Sequence, residues 1–382
     1  MNYDLVIIGA SFAGLACARS AVQAGLSVAV LDKKPYSGAK IHTTGVVVKD
    51  AIEANPWLQQ VPTHLVRRVE GVRLYAPKLD FVDLYAPDYY FWATDTPALL
   101  DWMTQDLRTM GVAFYFNQVF ENAQLYSFGT SALWHVVSST SNLPTREAQT
   151  LTARYLVGAD GPHSKVAKVL NLSENTQFLF GLEHEYCQKN TAVSMSADVL
   201  HCFVNHKLAP GYLGWALQGV KVAQIGLARR YHAGNPHTRK LNFSGFLENI
   251  APHIQVCDAE PAAIRAGFIP CGGVLRNVAT SRAILVGDAA GMVSPVTAGG
   301  IHTALKHGYD VGAGIAEFLN AKSVRASDPA ESLVRTYPRF ALKRAVRWGY
   351  DYFQRDWVFN QILGSRVFKR VAEQIYFHKR GC

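Results

Sequence analysis

Apolar positions along this chain recur with two periods, and the switches between them outline the fold. Unbroken or alternating apolar runs at 3–8, 28–31, 113–117 and 283–286 predict short strands. Period-two runs at 192–199, 200–205, 212–217 and 222–228 predict more. Residues 74–77 and 81–85 read as a hairpin turning at Lys78-Leu79-Asp80. Helical spacing takes over at 98–110, from Ile301 onward, and through the tail 331–382. The alternation predicts an α/β chain with a Rossmann-like domain in separated pieces, 1–70, 96–175 and 276–330. An antiparallel sheet from 71–95 and 176–275 supplies a second domain, and 331–382 a C-terminal helical segment.

The first strand runs into Gly9-Ala10-Ser11-Phe12-Ala13-Gly14, and eighteen residues beyond Gly14 the second strand is followed by Asp32. Gly9 permits a sharp turn, and Ser11 is small enough for main chain to approach a pyrophosphate. Gly14 and Ala18 let the helix lie close to the sheet. The helix N-terminus offers free N–H groups to phosphate, and Asp32 can accept ribose hydroxyls. Ser11 stands where the usual pattern has glycine, but strand, turn, helix and acid fall in the expected context. This unit alone leaves NAD and FAD both open.

A second motif selects FAD. The strand 283–286 delivers Gly287-Asp288 at its carboxyl end, and Asp288 can bind the ribitol hydroxyls that a flavin has and NAD lacks. Gly299-Gly300 then opens the helix from Ile301, whose N-terminus would stabilise negative charge on a reduced flavin. A third stretch reads Gly158-Ala159-Asp160-Gly161-Pro162. Together the three resemble the p-hydroxybenzoate hydroxylase-like flavoproteins. That resemblance extends the cofactor-binding set to Phe12, Ala13, Lys33, Thr44, Val119, Asp160, Pro295, Gly299, Gly300 and Ile301. The stretch continues His163-Ser164-Lys165-Val166, and most members have arginine after that valine. Here that place is Ala167, which argues against direct NADPH binding.

Within that superfamily the chain resembles the geranylgeranyl reductases. The likeness rests on the 288–305 stretch and on Ala209-Pro210-Gly211-Tyr212-Leu213-Gly214-Trp215-Ala216-Leu217, similar to a family strand that lines the substrate cavity. It implies Tyr212 and Trp215 as substrate-binding residues. The family has tyrosine two places before the tryptophan, where this chain has Leu213, and a one-residue offset on a strand turns a side chain to the other face. Several of these reductases carry a cysteine near the flavin within the stretch Ile41-His42-Thr43-Thr44-Gly45, where this chain has threonine.

Of 382 residues, 49% are hydrophobic, enough for two domains and a large core. Six scattered cysteines without a C-x-x-C pair, and a strand beginning straight after Met1, suggest a reduced, cytosolic setting without a secretory leader. The net charge of +9 is compatible with an anionic membrane surface, an anionic partner or plain solubility, and no nucleic-acid module is visible. His184, Cys187, His201, Cys202 and His206 lack metal-ligand spacing. The tail mixes Arg344, Arg347, Arg355, Trp348, Trp357, Tyr352, Phe353, Phe359 and Phe368, which suits a packed helical hairpin first, and a pocket cap or peripheral membrane contact second.

The resemblance implies an FAD-dependent reductase of carbon–carbon double bonds in an apolar, isoprenoid-like substrate. A flavin-dependent aromatic monooxygenase and a non-catalytic flavin-holding protein are the alternatives. The expected donor is a reduced ferredoxin-like carrier or NAD(P)H. Tyr212, His302 and ordered water are the candidate proton donors.

Overall fold

The computed structural model describes residues 1–128, 131–140, 147–188, 193–257, 260–321, 327–352 and 355–377. Phe353, Cys382 and the first residue of the 192–199 run lie outside them. At the centre is a parallel sheet in the order Ala283–Leu285, Ala148–Gly158, Asn2–Ile8, Val28–Asp32, Ala113–Phe116. Leu5, Val6 and Ile7 are fully buried, as expected of a strand covered on both faces. The first half of Ala148–Gly158 instead pairs with Ser131–Thr140, which folds antiparallel onto Gln118–Phe128.

Two helices on this sheet touch backbone to backbone. Phe12–Gln23 packs against Ile301–Asn320 where Gly308 and Gly312 meet it. A Cβ on Gly308 would stand 2.3 Å from the Ala13 carbonyl oxygen, and one on Gly312 would stand 2.2 Å from that of Cys17. No side chain fits at either place.

The second large sheet has seven strands: Ala263–Pro270, Phe178–Cys187, Val222–Tyr231, Gly214–Gln218, Val199–Phe203, Gly71–Tyr75 and Phe81–Leu84. The expected 74–77/81–85 hairpin is present as Gly71–Tyr75 against Phe81–Leu84. Two features depart from the sequence reading. Val199–Phe203 pairs in parallel with Gly71–Tyr75, so the sheet is not wholly antiparallel. Phe91–Thr94, expected in this sheet, joins Val46–Val48 and Val66–Val69 in a separate three-stranded sheet. Its partners are distant in sequence, so local alternation carries no trace of the choice.

The strand expected over 212–217 begins only at Gly214. Gly211 adopts φ +83°, and a turn closes from the Tyr212 N–H to the Ala209 carbonyl, which holds Tyr212 outside the sheet. The tail forms Ala330–Arg335, Ala341–Tyr352, Asp356–Ile362 and Arg366–Tyr376. Phe377, just beyond the last helix, is fully buried with ring centroids 5.3 Å from Tyr89 and 5.9 Å from Phe91. Trp348 and Trp357 stay exposed, at 70% and 57%. No helix among the described residues is long and apolar enough to cross a membrane.

Candidate functional site

The carboxyl ends of the central strands converge on one cleft edge. Gly9 follows the first strand at φ +114°, where a Cβ would stand 2.2 Å from the Ala159 carbonyl oxygen. The Ala10 N–H donates to Asp32 Oδ2 at 2.7 Å and the Lys34 N–H to Asp32 Oδ1 at 2.9 Å. The acid that sequence spacing matched to a ribose therefore also pins the turn. A carboxylate has about four acceptor sites, so beside these two bonds and the Lys34 ammonium 3.8 Å away there is still capacity for a ligand. Ser11 caps the helix by position only, with no side-chain bond. The first helical bond runs from Leu15 N–H to Ser11 C=O, which leaves the N–H groups of Phe12, Ala13 and Gly14 without helical acceptors. A Cβ on Gly14 would stand 1.9 Å from the Gly9 carbonyl oxygen. Lys33 is exposed and Val119 is partly buried on the neighbouring strand.

The second motif meets the first. Gly287 sits at φ +62°, and a Cβ there would stand 2.8 Å from that of Ala13. Asp288 is partly buried, and among the described residues its carboxyl receives no side-chain or backbone hydrogen bond that would satisfy it. Its backbone carbonyl accepts from Asn175 Nδ2 at 2.9 Å and from the Gly291 N–H at 3.0 Å. Burial pushes the carboxyl up to about 6. Such a group is an acceptor awaiting hydroxyl donors. Asp160 is used differently. It accepts from Ser164 Oγ at 2.6 Å and from the Val166 N–H at 3.1 Å, so it ties its own turn together. Burial raises its carboxyl, and these bonds oppose the rise.

Beyond Asp288 the chain makes a tight loop. The Ser294 N–H donates to Gly299 C=O and the Ala298 N–H to Ser294 C=O, both at 3.0 Å. Gly300 caps Ile301–Asn320 without a side chain, and the first helical bond reaches it from Ala304. The N–H groups of Ile301 and Thr303 are thus left without helical acceptors. The Tyr212 hydroxyl donates to Thr297 C=O at 2.8 Å. Buried Arg347 donates to Gly211 C=O at 2.6 Å and reaches Pro295 C=O at 3.5 Å. Tyr350 donates to Tyr212 C=O at 2.8 Å. Tyr212 is therefore part of a clamp between the tail and the 294–300 loop, with its hydroxyl already committed.

Trp215 lies on the face of the seven-stranded sheet. A Cβ on Gly226, its partner on the adjacent strand, would stand 2.1 Å from indole Cζ2. The bare Gly226 leaves room for the indole to lie against the strand. Trp215 Nε1 donates to Glu183 Oε2 at 2.8 Å, and the same oxygen is 2.5 Å from Thr44 Oγ. Thr44 precedes Gly45, at φ +79°, where a Cβ would strike Thr96 Oγ1. Sequence reasoning singled out Thr44 and Trp215 and passed over Glu183, Gln224 and Arg265, which lie around them. The Gly308-x-x-x-Gly312 spacing was a usable signal for the helix contact; for Glu183 there was none beyond an acid in an apolar run.

Residues 101–338 match the FAD binding domain family, and residues 3–186 match the pyridine nucleotide-disulphide oxidoreductase family. Digeranylgeranylglycerophospholipid reductase 3 of Methanosphaera stadtmanae is 27% identical over 343 residues, 87% of this chain and 81% of the relative. A geranylgeranyl bacteriochlorophyll reductase-like structure from Thermoplasma acidophilum superposes with TM-score 0.74 at 17% identity, over 95% of this chain and 88% of the other. The flavin-dependent brominase Bmp2 superposes with TM-score 0.70 at 12% identity, over 100% and 94%. The last two establish a shared fold.

Proposed function

The chain belongs to the FAD binding domain family and is an FAD-dependent oxidoreductase, and we propose that it reduces carbon–carbon double bonds in an isoprenoid lipid chain. When bound, FAD supplies a two-electron hydride centre. Gly9, Ser11 and the free N–H groups of Phe12, Ala13 and Gly14 would hold its pyrophosphate, with Asp32 and Lys33 at the adenosine. Val119 and the Asp160 turn would flank that end, while Gly287 and Asp288 would take the ribitol. Thr44, Pro295, Gly299, Gly300 and Ile301 would border the ring. The residues present fit the group: glycines where a Cβ would fill the cradle, and an unpaired carboxyl where hydroxyls are expected.

One observation carries the reading. The indole of Trp215 lies against Gly226 beside Thr44, a broad apolar platform suited to a flexible hydrocarbon chain rather than a polar ring substrate. The likeness to a digeranylgeranylglycerophospholipid reductase along 87% of the chain supports the same substrate class. Exposed Leu342, Trp348, Trp357 and Val367 on tail helices that also carry Lys343, Arg344, Lys369 and Arg370 support docking on an anionic membrane from which such a lipid is drawn. The net charge of +9 supports an acidic electron carrier as donor. The test is anaerobic. Dithionite-reduced holoenzyme is mixed with digeranylgeranylglycerophospholipid, and flavin reoxidation is followed with product mass. A gain of two hydrogens per double bond is expected. Lipid that comes back unchanged, or a product that gains oxygen once air is admitted, refutes the reading.

A further inference from the structure

Glu183 is 4% exposed, and no basic side chain among the described residues is ion-paired with it. Its neighbours are hydrogen-bonding groups: Thr44 Oγ at 2.5 Å and Trp215 Nε1 at 2.8 Å on Oε2, and Gln224 Nε2 at 3.3 Å on Oε1. The nearest cation, Arg265, is engaged elsewhere, on Glu185 at 2.6 Å and on Thr43 C=O at 2.9 Å. Burial raises the Glu183 carboxyl; Thr44, Trp215 and Arg265 oppose the rise, and Glu185 adds to it. A carboxyl buried without a cation in contact holds its proton unless donors replace the lost water.

The geometry points to Glu183 as a proton reservoir that works through Thr44 in the double-bond reduction proposed above, on which this inference rests. Each protonation state is satisfied with the heavy atoms in place. Charged with a proton, Oε2–H donates to Thr44 Oγ, still accepts from Trp215, and frees the Thr44 hydroxyl hydrogen for a third partner. Discharged, the carboxylate accepts from Thr44 and Trp215 at once, with Gln224 Nε2 shared between it, Glu185 and Thr44 C=O. A threonine hydroxyl is too weak an acid to give up a proton without one arriving behind it, so the two residues act as a pair.

The step balances. One alkene carbon takes the hydride with its electron pair from the reduced cofactor, which is thereby oxidised. The adjacent carbon takes a proton as the Thr44 O–H bond breaks and a C–H bond forms. Glu183 Oε2–H reprotonates Thr44 Oγ and remains as carboxylate. The lost proton is regained from solvent at the partly exposed Thr44 hydroxyl, which passes it to Glu183 Oε2 once product has left. Gln224 Nε2, 3.1 Å from Thr44 C=O and 3.3 Å from both Glu183 and Glu185, positions the carboxyl and carries no proton itself.

Two measurements test it. In oxidised holoenzyme at neutral pH, the infrared difference between wild type and Glu183→Gln should show a carboxylic-acid C=O band that shifts down in D2O. In single turnovers, dithionite-reduced enzyme is mixed with a geranylgeranyl-chain lipid and flavin reoxidation is timed in H2O and D2O. Per bound flavin, Glu183→Gln and Thr44→Val should slow reoxidation about 100-fold, and Thr44→Ser should restore it to within a few-fold. Wild type should show a solvent isotope effect. Absence of the acid band overturns the proposal. Wild-type rates in flavin-replete Glu183→Gln or Thr44→Val overturn it too, while leaving double-bond reduction intact. Failure of the wild type itself to react with the lipid overturns the double-bond reading and this step together.

Discussion

Asp288→Asn should make the cofactor-free protein more stable and its hold on FAD weaker. Burial lifts the Asp288 carboxyl from 3.8 to about 6 with no protein donor to offset it. At neutral pH the folded apoprotein therefore carries an ionised group at a cost of about 3 kcal/mol, at roughly 1.4 kcal/mol per pKa unit. Water in the open cleft screens part of this, so the measured gain for the isosteric amide should be about 1–2 kcal/mol. Ribitol hydroxyls donating to the carboxylate would lower its pKa on binding. FAD binding then releases a proton, and affinity should rise about tenfold per pH unit up to about 6 and level off above it. Losing the charged acceptor should cost about 1.5–3 kcal/mol of FAD affinity. The assays are thermal unfolding of apoprotein at pH 7, where the group is ionised, and at pH 4.5, where it is not, with FAD titrations across the same range. A stability gain equal at both pH values, or pH-independent FAD affinity in the wild type, would refute the reasoning.

Gly226→Ala drives a methyl into the indole of Trp215, so a loss of about 1–3 kcal/mol in urea unfolding and a red shift of tryptophan emission are expected. His307 is buried and burial lowers it to about 4, with its Nδ1 lacking a hydrogen bond and Asp310 Oδ2 at 3.8 Å opposing the shift only in part. The folded state thus refuses a proton that the unfolded chain accepts. Stability is full above about 6.5 and falls by about 1.4 kcal/mol per pH unit down to about 4; His307→Gln should flatten that limb of a stability–pH curve. Arg347→Met removes the guanidinium donor from the buried Gly211 carbonyl and undoes the clamp. A cost of about 1–3 kcal/mol and faster proteolysis of the tail should follow, and unchanged proteolysis would show that the tail is held by other contacts.

What the sequence determined by itself was everything set by sterics within one turn or one strand. Gly9 at φ +114°, the helix opening at Phe12 and the acid closing the next strand all follow from local spacing, and so does Gly287-Asp288 at a strand end. Tertiary structure decided what depends on pairing between distant segments. Phe91–Thr94 left the sheet that its neighbours joined because Val46–Val48 and Val66–Val69 offered it partners. Tyr212, one residue after a left-handed glycine, was turned into a clamp, whereas Trp215 went to the platform. Glu183 became a buried acid only because strand register set Gly226 opposite Trp215 and chain folding brought Thr44 from 139 residues away. A strand's own alternation says that its side chains part to two faces; which face meets the cofactor, and what waits there, is fixed by register and by long-range packing.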